Sequence, residues 1–472
     1  MNNKRSINVF MLAMINVAAI CSIKNWPVTA EYGLTSLIYF TISIVIFFIP
    51  VSLVSAELAT GWPRNGGVYL WVKEAFGHKM GFLAAFLLWM ENVVWYPTIL
   101  SFIAGTIAFC FAPDLAANTT YLFFMIIGFF WLATLVNFLG MKVSGWISSV
   151  GVIVGTIIPG LLIISLAFFW IYGGNKSYII FSWDALIPKL STPHQLSLLT
   201  GVLLGFAGME MSAVHANVVK NPQKNYPLAI LISSIIIVVL SLLGTLSIAI
   251  VIPREKINLV SGSIEAISLF LNSYNLGSLV PFIAIMIVFG AMGGVSTWAA
   301  GPTKSLLAAA QDGDLPPLLH KVNKNDMPTA MLTVQGVIVS IISTVFLLMP
   351  NVNSSFWILL VLASQLYLVM YILMFAAGIK LRFRQPHIHR SYKIPGGLFG
   401  IITVSGVGIL GALFAFIVGF FPPLELDTGS PLFFQGLLTC GILIFCSAPF
   451  VVLLFKKPSW NENGKEIKSD IN

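Results

Sequence analysis

The chain has 472 residues, of which 58% are hydrophobic and only 9% are charged, and its mean hydropathy is +0.93. A soluble globular protein carries about 25% charged residues, so this composition excludes a soluble fold and predicts a protein that crosses the lipid bilayer many times. The net charge of +8 does not indicate a nucleic-acid partner, because the basic residues lie singly between apolar segments.

Apolar runs bounded by charged residues, Pro and Gly predict an all-α membrane protein with about twelve transmembrane helices. Each run approaches or exceeds the roughly 20 residues needed to cross about 30 Å of hydrocarbon. No small-residue cleavage site precedes Trp26, so the first run is predicted to be a span and not a secretory signal. The predicted spans are 7–29, 36–58, 80–112, 119–139, 145–172, 196–218, 227–252, 279–303, 329–349, 355–379, 399–421 and 432–455.

The distribution of basic residues predicts the orientation. An even number of spans places both termini on one side, and with the N-terminus inside, 20 of the 25 Lys and Arg lie in inner segments. Because Lys and Arg concentrate in cytoplasmic segments, we expect both termini in the cytoplasm and the protein in the cell (inner) membrane. The outer segments hold Lys24, Lys176, Lys189, Arg254 and Lys256.

The sequence does not predict an enzyme. Its four cysteines fall inside apolar runs, and no metal-ligand spacing, nucleophile–base pair or phosphate-binding loop occurs. We therefore expect neither a metal nor a cofactor, and we place 1–472 in a single transmembrane domain.

Glycines interrupt the sixth predicted span. Gly205 and Gly208 precede Glu210 at mid-depth, and Ser212 and His215 follow. Since irregular backbone persists in a membrane only where it faces protein or a water-filled cavity, we predict an unwound turn from Gly205 to Glu210. Glycines also serve close helix packing, and Glu210 suits both a structural role at the break and substrate contact. For His215 a hydrogen-bonded structural role is favoured over titration near the pathway.

Residues 16–22 of the first span form a weaker counterpart, small and polar, five spans earlier. Transporters built as inverted repeats place an interrupted helix at corresponding points of each half, with helix N-termini directed at anionic substrate groups. The carboxylate of an amino acid suits such a site.

Other spans contribute fewer polar candidates. Glu91 and Asn92, just before Tyr96 in the third span, suit pathway lining and helix-to-helix hydrogen bonding equally. Tyr367 and Tyr371 are four residues apart and share a helical face, a pattern more often due to packing than to ligand contact.

The eighth span carries Gly294, Ser296 and Thr297. The glycine permits close approach of a helix or substrate. The two hydroxyls suit a small cation such as sodium, although Ser and Thr in membrane helices usually bond their own backbone.

Four stretches of this sequence together resemble the amino acid-polyamine-organocation superfamily over nearly the whole chain. The tyrosine pair and the segment around His215 look most like the glutamate/γ-aminobutyrate antiporters. The four stretches are 56–72, 208–210 with 219–227, 312–316 with 322–329, and 390–397.

The resemblance implies a five-plus-five inverted repeat of the LeuT-like type with two further C-terminal helices. We assign 7–172 to the first repeat, 196–379 to the second and 399–455 to the extra helices. It implies substrate held by main-chain groups of the broken first and sixth spans, with two tyrosines lining the pathway. These residues are Ala18, Ala19, Ile20, Cys21, Ser22, Gly205, Phe206, Ala207, Gly208, Tyr367 and Tyr371.

The resemblance also has departures. Gly294 stands where the glutamate antiporters carry an acidic residue, which favours a different substrate charge. The first span lacks a glycine-rich break, and the segment after Lys457 is short for tail-mediated pH gating.

Exchange of one amino acid for another, or for its decarboxylated amine, is the leading functional hypothesis. The alternative is proton- or sodium-coupled amino acid symport through Glu91, Glu210 or the Ser296–Thr297 pair. A channel or a nutrient sensor would need charge rings or a signalling segment that the sequence does not contain. The sequence is compatible with a homodimer but indicates no oligomeric state.

Overall fold

The computed structural model describes residues 8–62, 66–140, 150–188, 196–197, 199–211, 221–423, 428 and 430–460. Within them, ten helices are long and apolar enough to cross a membrane, and they match the second to fifth and seventh to twelfth predicted spans. Their bounds are Gly33–Gly61, His78–Ala108, Thr119–Phe138, Val150–Tyr172, Lys224–Val251, Gly277–Asp314, Thr329–Leu348, Val352–Arg384, Gly397–Val418 and Pro431–Leu454.

The two remaining spans are interrupted helices. The first consists of Val9–Ile20 and Ile23–Ala30, which meet at an angle of 41°, and the sixth is the short apolar segment Leu199–Met211. The described residues therefore confirm an all-α protein of about twelve membrane helices. The end of the sixth predicted span, 212–218, lies outside them.

Local sequence explains where many helices begin and bend. The side chains of Asn8, Asn118 and Asn351 each accept the amide of the residue three positions on, at 2.8 to 2.9 Å, the arrangement of an N-cap. Pro50 and Pro159 lack an amide hydrogen, and each follows a π-helical turn inside its span. The missing hydrogen bond accounts for the local widening of the helix.

The helices form a centre and a periphery. In the third and tenth spans, 89% and 83% of the most apolar window is buried inside the protein, against 11% in the twelfth. The third span packs most extensively against the eighth and tenth, and the first packs against the seventh. A substrate site must therefore be sought around the third and tenth spans, whereas the twelfth lies at the outer surface of the helix bundle.

The fifth and eighth spans touch through glycine. A Cβ at Gly155 would lie 2.5 Å from the Cα of Gly290, and a Cβ at Gly290 would lie 2.6 Å from the carbonyl oxygen of Gly151. The two backbones are thus in direct contact, as at other small-residue interfaces of membrane helices.

A buried charge network joins the end of the second span to the tenth and to the loop before the eleventh. Glu57 accepts the guanidinium of Arg382 at 3.0 Å and the amide of Ile394 at 2.8 Å, and Arg390 lies 3.4 Å away. Burial lowers the pKa of Arg390 from its usual value, with attraction to Glu57 acting in the opposite direction. Each of these three charged side chains has an oppositely charged neighbour, so removing any one of them would leave an uncompensated buried charge.

Candidate functional site

The sixth span breaks where its glycines predict. The helix Leu199–Leu204 ends at Gly205, and Phe206, Ala207 and Gly208 are non-helical before a short 3₁₀ turn. Gly208 has a φ of +118°, and a Cβ there would lie 3.1 Å from the Trp298 ring. The backbone angle favours glycine strongly, and the neighbouring ring leaves little room for a Cβ.

Glu210 is held by the tyrosine pair of the tenth span. Tyr371 donates its hydroxyl hydrogen to Oε2 at 2.6 Å, and Tyr367 donates to Oε1. The Tyr371 oxygen also accepts the amide of Gly208 at 2.9 Å. Glu210 and its two tyrosines therefore fasten the unwound segment to the tenth span, which gives the carboxylate a structural role there.

The first span breaks at Cys21 and Ser22. Their φ angles, −71° and −136°, are ordinary extended values that any residue adopts. Ala18, Ala19 and Ile20, also expected to be at the break, remain in the last turn of Val9–Ile20. The final carbonyls of a helix have no intrahelical partner, so these three residues still present main-chain acceptors at the break.

A cavity of about 50 Å³ lies between the two breaks and the third, eighth and tenth spans. It has room for a few waters and is smaller than an amino acid, so binding of an amino acid must widen it. Its lining combines predicted site residues with aromatic and amide side chains: Ala19, Ile20, Ser22, Asn25, Glu91, Asn92, Trp95, Leu204, Ala207, Trp298 and Tyr367.

Glu91 and Asn92 both reach the cavity wall. Asn92 Nδ2 donates to Glu91 Oε1 at 2.6 Å and to the carbonyl of Leu88 at 2.9 Å. Trp95 lies one turn further along the helix and pairs with Trp298, their ring centroids 6.3 Å apart. The third span thus presents a carboxylate and a large aromatic ring to the same space.

Two other predicted site residues, Tyr96 and Phe206, are not part of the cavity lining and pack against neighbouring aromatic rings. Tyr96 is buried against Phe130 of the fourth span, with ring centroids 4.9 Å apart, and Phe206 packs against Phe40 and Phe48. Ser212 and His215 lie outside the described residues.

In the eighth span, Gly294 has open space where a Cβ would stand, and it precedes the cavity residue Trp298 by one helical turn. Ser296 is buried. The position of the Thr297 side chain is outside the described part of the chain.

Lys24 is a residue beside the cavity that the sequence analysis does not name as a site residue. The charge distribution assigns it to an outer segment, and its side chain is fully buried, just after the break in the first span. Its Nζ lies 4.9 Å from the centre of the Trp95 ring and 5.3 Å from that of Phe356. Sequence reasoning missed it because a single lysine after an apolar run is typical of a span end. The adjacent Trp26–Pro27, which continues the apolar stretch, was the available signal.

The model of the amino acid permease family matches residues 7–445. The chain belongs to this family, within the amino acid-polyamine-organocation superfamily. It is accordingly an integral membrane protein and a transporter of amino acids or related amines.

Its relatives extend over nearly the full chain. An uncharacterized transporter of Legionella pneumophila is 43% identical across 95% of this chain and 97% of its own length. A glutamate/γ-aminobutyrate antiporter of Lactococcus lactis is 32% identical across 95% and 90%. A probable agmatine/putrescine antiporter of the same species is 25% identical across 94% of each chain.

Proposed function

We propose that this transporter is an amino acid antiporter of the glutamate/γ-aminobutyrate type that works by alternating access. The observation that carries the proposal is the cavity between two interrupted helices, lined by the third, eighth and tenth spans. Interrupted helices provide free main-chain groups at the middle of a membrane, where transporters bind substrate. The relative with that printed activity, 32% identical, supports the choice of substrate pair.

In the proposed mechanism, main-chain groups of Ala18–Ser22 and Gly205–Gly208 bind the amino and carboxylate groups of the substrate. Tyr367 contributes to the cavity wall, and Tyr371 positions the break through Gly208. The bound substrate lowers the cost of rearranging the helices around it, and an empty site lacks that compensation. Exchange therefore requires a substrate in each direction.

The membrane organisation of this proposal follows the sequence. Residues 7–172 and 196–379 form two inverted repeats, 399–455 form two additional helices, and both termini face the cytoplasm from the inner membrane. Reporter fusions at each terminus would test this orientation: cytoplasmic activity at both ends is expected, and periplasmic activity at either end contradicts it.

Exchange in proteoliposomes tests the transport mechanism. Labelled glutamate should enter vesicles preloaded with glutamate or γ-aminobutyrate much faster than empty vesicles, because exchange must return the carrier loaded. Equal entry into empty vesicles would contradict obligatory antiport. Uptake that needs no internal substrate and collapses with an ionophore would establish the alternative, ion-coupled symport.

A panel of acidic, neutral and basic amino acids and their amines, competing with the labelled substrate, tests the substrate class. Strong competition by glutamate and γ-aminobutyrate is expected. Competition only by diamines would contradict the proposed substrate pair and leave exchange itself intact.

A further inference from the structure

Lys24 has a position that general stability does not explain. Its side chain is 0% exposed, and its ammonium has no hydrogen-bond acceptor among the described residues. Two aromatic rings face it, Trp95 from the third span and Phe356 from the tenth. An ammonium carries three donors, and ring faces alone do not replace the hydrogen bonds it loses on burial.

The ammonium lies next to residues that line the cavity. Its chain neighbours Ser22 and Asn25 line the cavity, and so does its ring partner Trp95. The cavity must widen to admit an amino acid. Towards Glu210 the wall is fastened by two tyrosine hydroxyls, whereas towards Lys24 it consists of the Trp95 ring over an ammonium that needs an acceptor. If the cavity widens on the Lys24 side, the ammonium can therefore form hydrogen bonds that it lacks in this structure.

Glu91 provides the opposite charge nearby. It lies one turn before Trp95 on the third span and lines the cavity. Its charge attracts that of Lys24, yet the ammonium has no hydrogen-bond partner on Glu91 among the described residues. The ammonium therefore still lacks the acceptor that a ligand carboxylate would supply.

We propose that Lys24 is a specificity-determining residue that binds the distal carboxylate of the substrate, opposed by Glu91. Glutamate and γ-aminobutyrate share this carboxylate, whereas putrescine and agmatine lack it. The proposal rests on the proposed function for its substrate class, and it adds the residue that would distinguish carboxylate-bearing substrates from plain amines.

The test uses two ligand pairs that differ only in carboxylate against amide: glutamate with glutamine, and γ-aminobutyrate with its primary amide. Binding to the purified protein is measured by the shift in thermal unfolding with ligand concentration. Lys24→Met should lower the acid-to-amide affinity ratio by at least about tenfold, since a buried charge partner is lost. Glu91→Gln should raise that ratio, because it removes a carboxylate that repels the carboxylate of the acid ligands.

Lys176→Met is the matched control, since Lys176 also lies over a ring, that of Tyr178, but is exposed. It should leave the ratio unchanged. In the double variant Lys24→Met, Glu91→Gln, the acid-to-amide affinity ratio should not rise as it does in Glu91→Gln alone, because that rise depends on Lys24.

An equal loss for acid and amide in Lys24→Met would show that Lys24 only supports folding, and it would overturn the proposal. A Glu91→Gln ratio that falls, or a wild-type protein that binds none of the four ligands, would do the same. Exchange that fails in vesicles while the ratio responds as stated would refute antiport and leave the role of Lys24 in place.

Discussion

The two interrupted spans are held open in different ways. In the sixth, Gly208 occupies a left-handed φ of +118° against Trp298, and Glu210 is fastened to the tenth span. In the first, Cys21 and Ser22 have ordinary extended angles. The sixth break is therefore specified by residue type, whereas the first must be imposed by what surrounds it.

Packing on either side of the first break supplies that constraint. Asn16 donates to Ser233 Oγ of the seventh span at 3.1 Å. Beyond the break, the Trp26 ring fits where a Cβ at Gly244 would lie only 2.4 Å away. The two half-helices are thus anchored separately to the seventh span. The comparison teaches that equivalent interruptions need not share a local sequence, and it predicts unequal tolerance to substitution.

The largest effect is expected from Gly208→Leu. The new side chain would require a φ that L-residues rarely adopt and would collide with Trp298, so uptake should be abolished while the protein still inserts. Gly128→Ala in the fourth span is the control, because a Cβ there meets no atom within 4 Å, and its uptake should stay within about twofold of wild type. Normal uptake by Gly208→Leu would show that the sixth break does not depend on residue type any more than the first does.

A smaller effect is expected from Tyr371→Phe. The Tyr371 hydroxyl bonds both Glu210 and the Gly208 amide, so its loss should lower the free energy of unfolding by about 1–3 kcal/mol. Tyr367→Phe removes the hydroxyl that bonds Oε1 alone and should cost less. Thermal unfolding and the KM for uptake would compare the two variants. A greater loss in Tyr367→Phe would show that the sixth break is not fastened through Gly208.

The smallest effect is expected from Cys21→Ala. Because its backbone angles suit any residue, uptake should stay within about twofold of wild type. Cys440→Ala, at an exposed position of the twelfth span, controls for removal of a thiol. A defect as large as that of Gly208→Leu would mean that the first break also depends on its residue type.

The sequence predicted the membrane architecture because apolar length and helix boundaries are local properties. The break in the sixth span could also be predicted, since two glycines and a carboxylate lie within six residues of the span, at Gly205, Gly208 and Glu210. The start of the first break was harder to predict, because the extended backbone angles of Cys21 do not require a particular residue type. The burial of Lys24 beside the cavity was missed for a related reason, because it depends on Trp95 and Phe356, which are distant in the chain.

The direct backbone contact between Gly155 and Gly290 has a mechanical consequence. Two helices whose main chains are in direct contact cannot rotate independently without first separating. The fifth and eighth spans should therefore move as one rigid body. Trp298 lies two turns beyond Gly290, about 12 Å along the same helix. A movement of the fifth span should therefore also move Trp298 in the aromatic wall of the cavity.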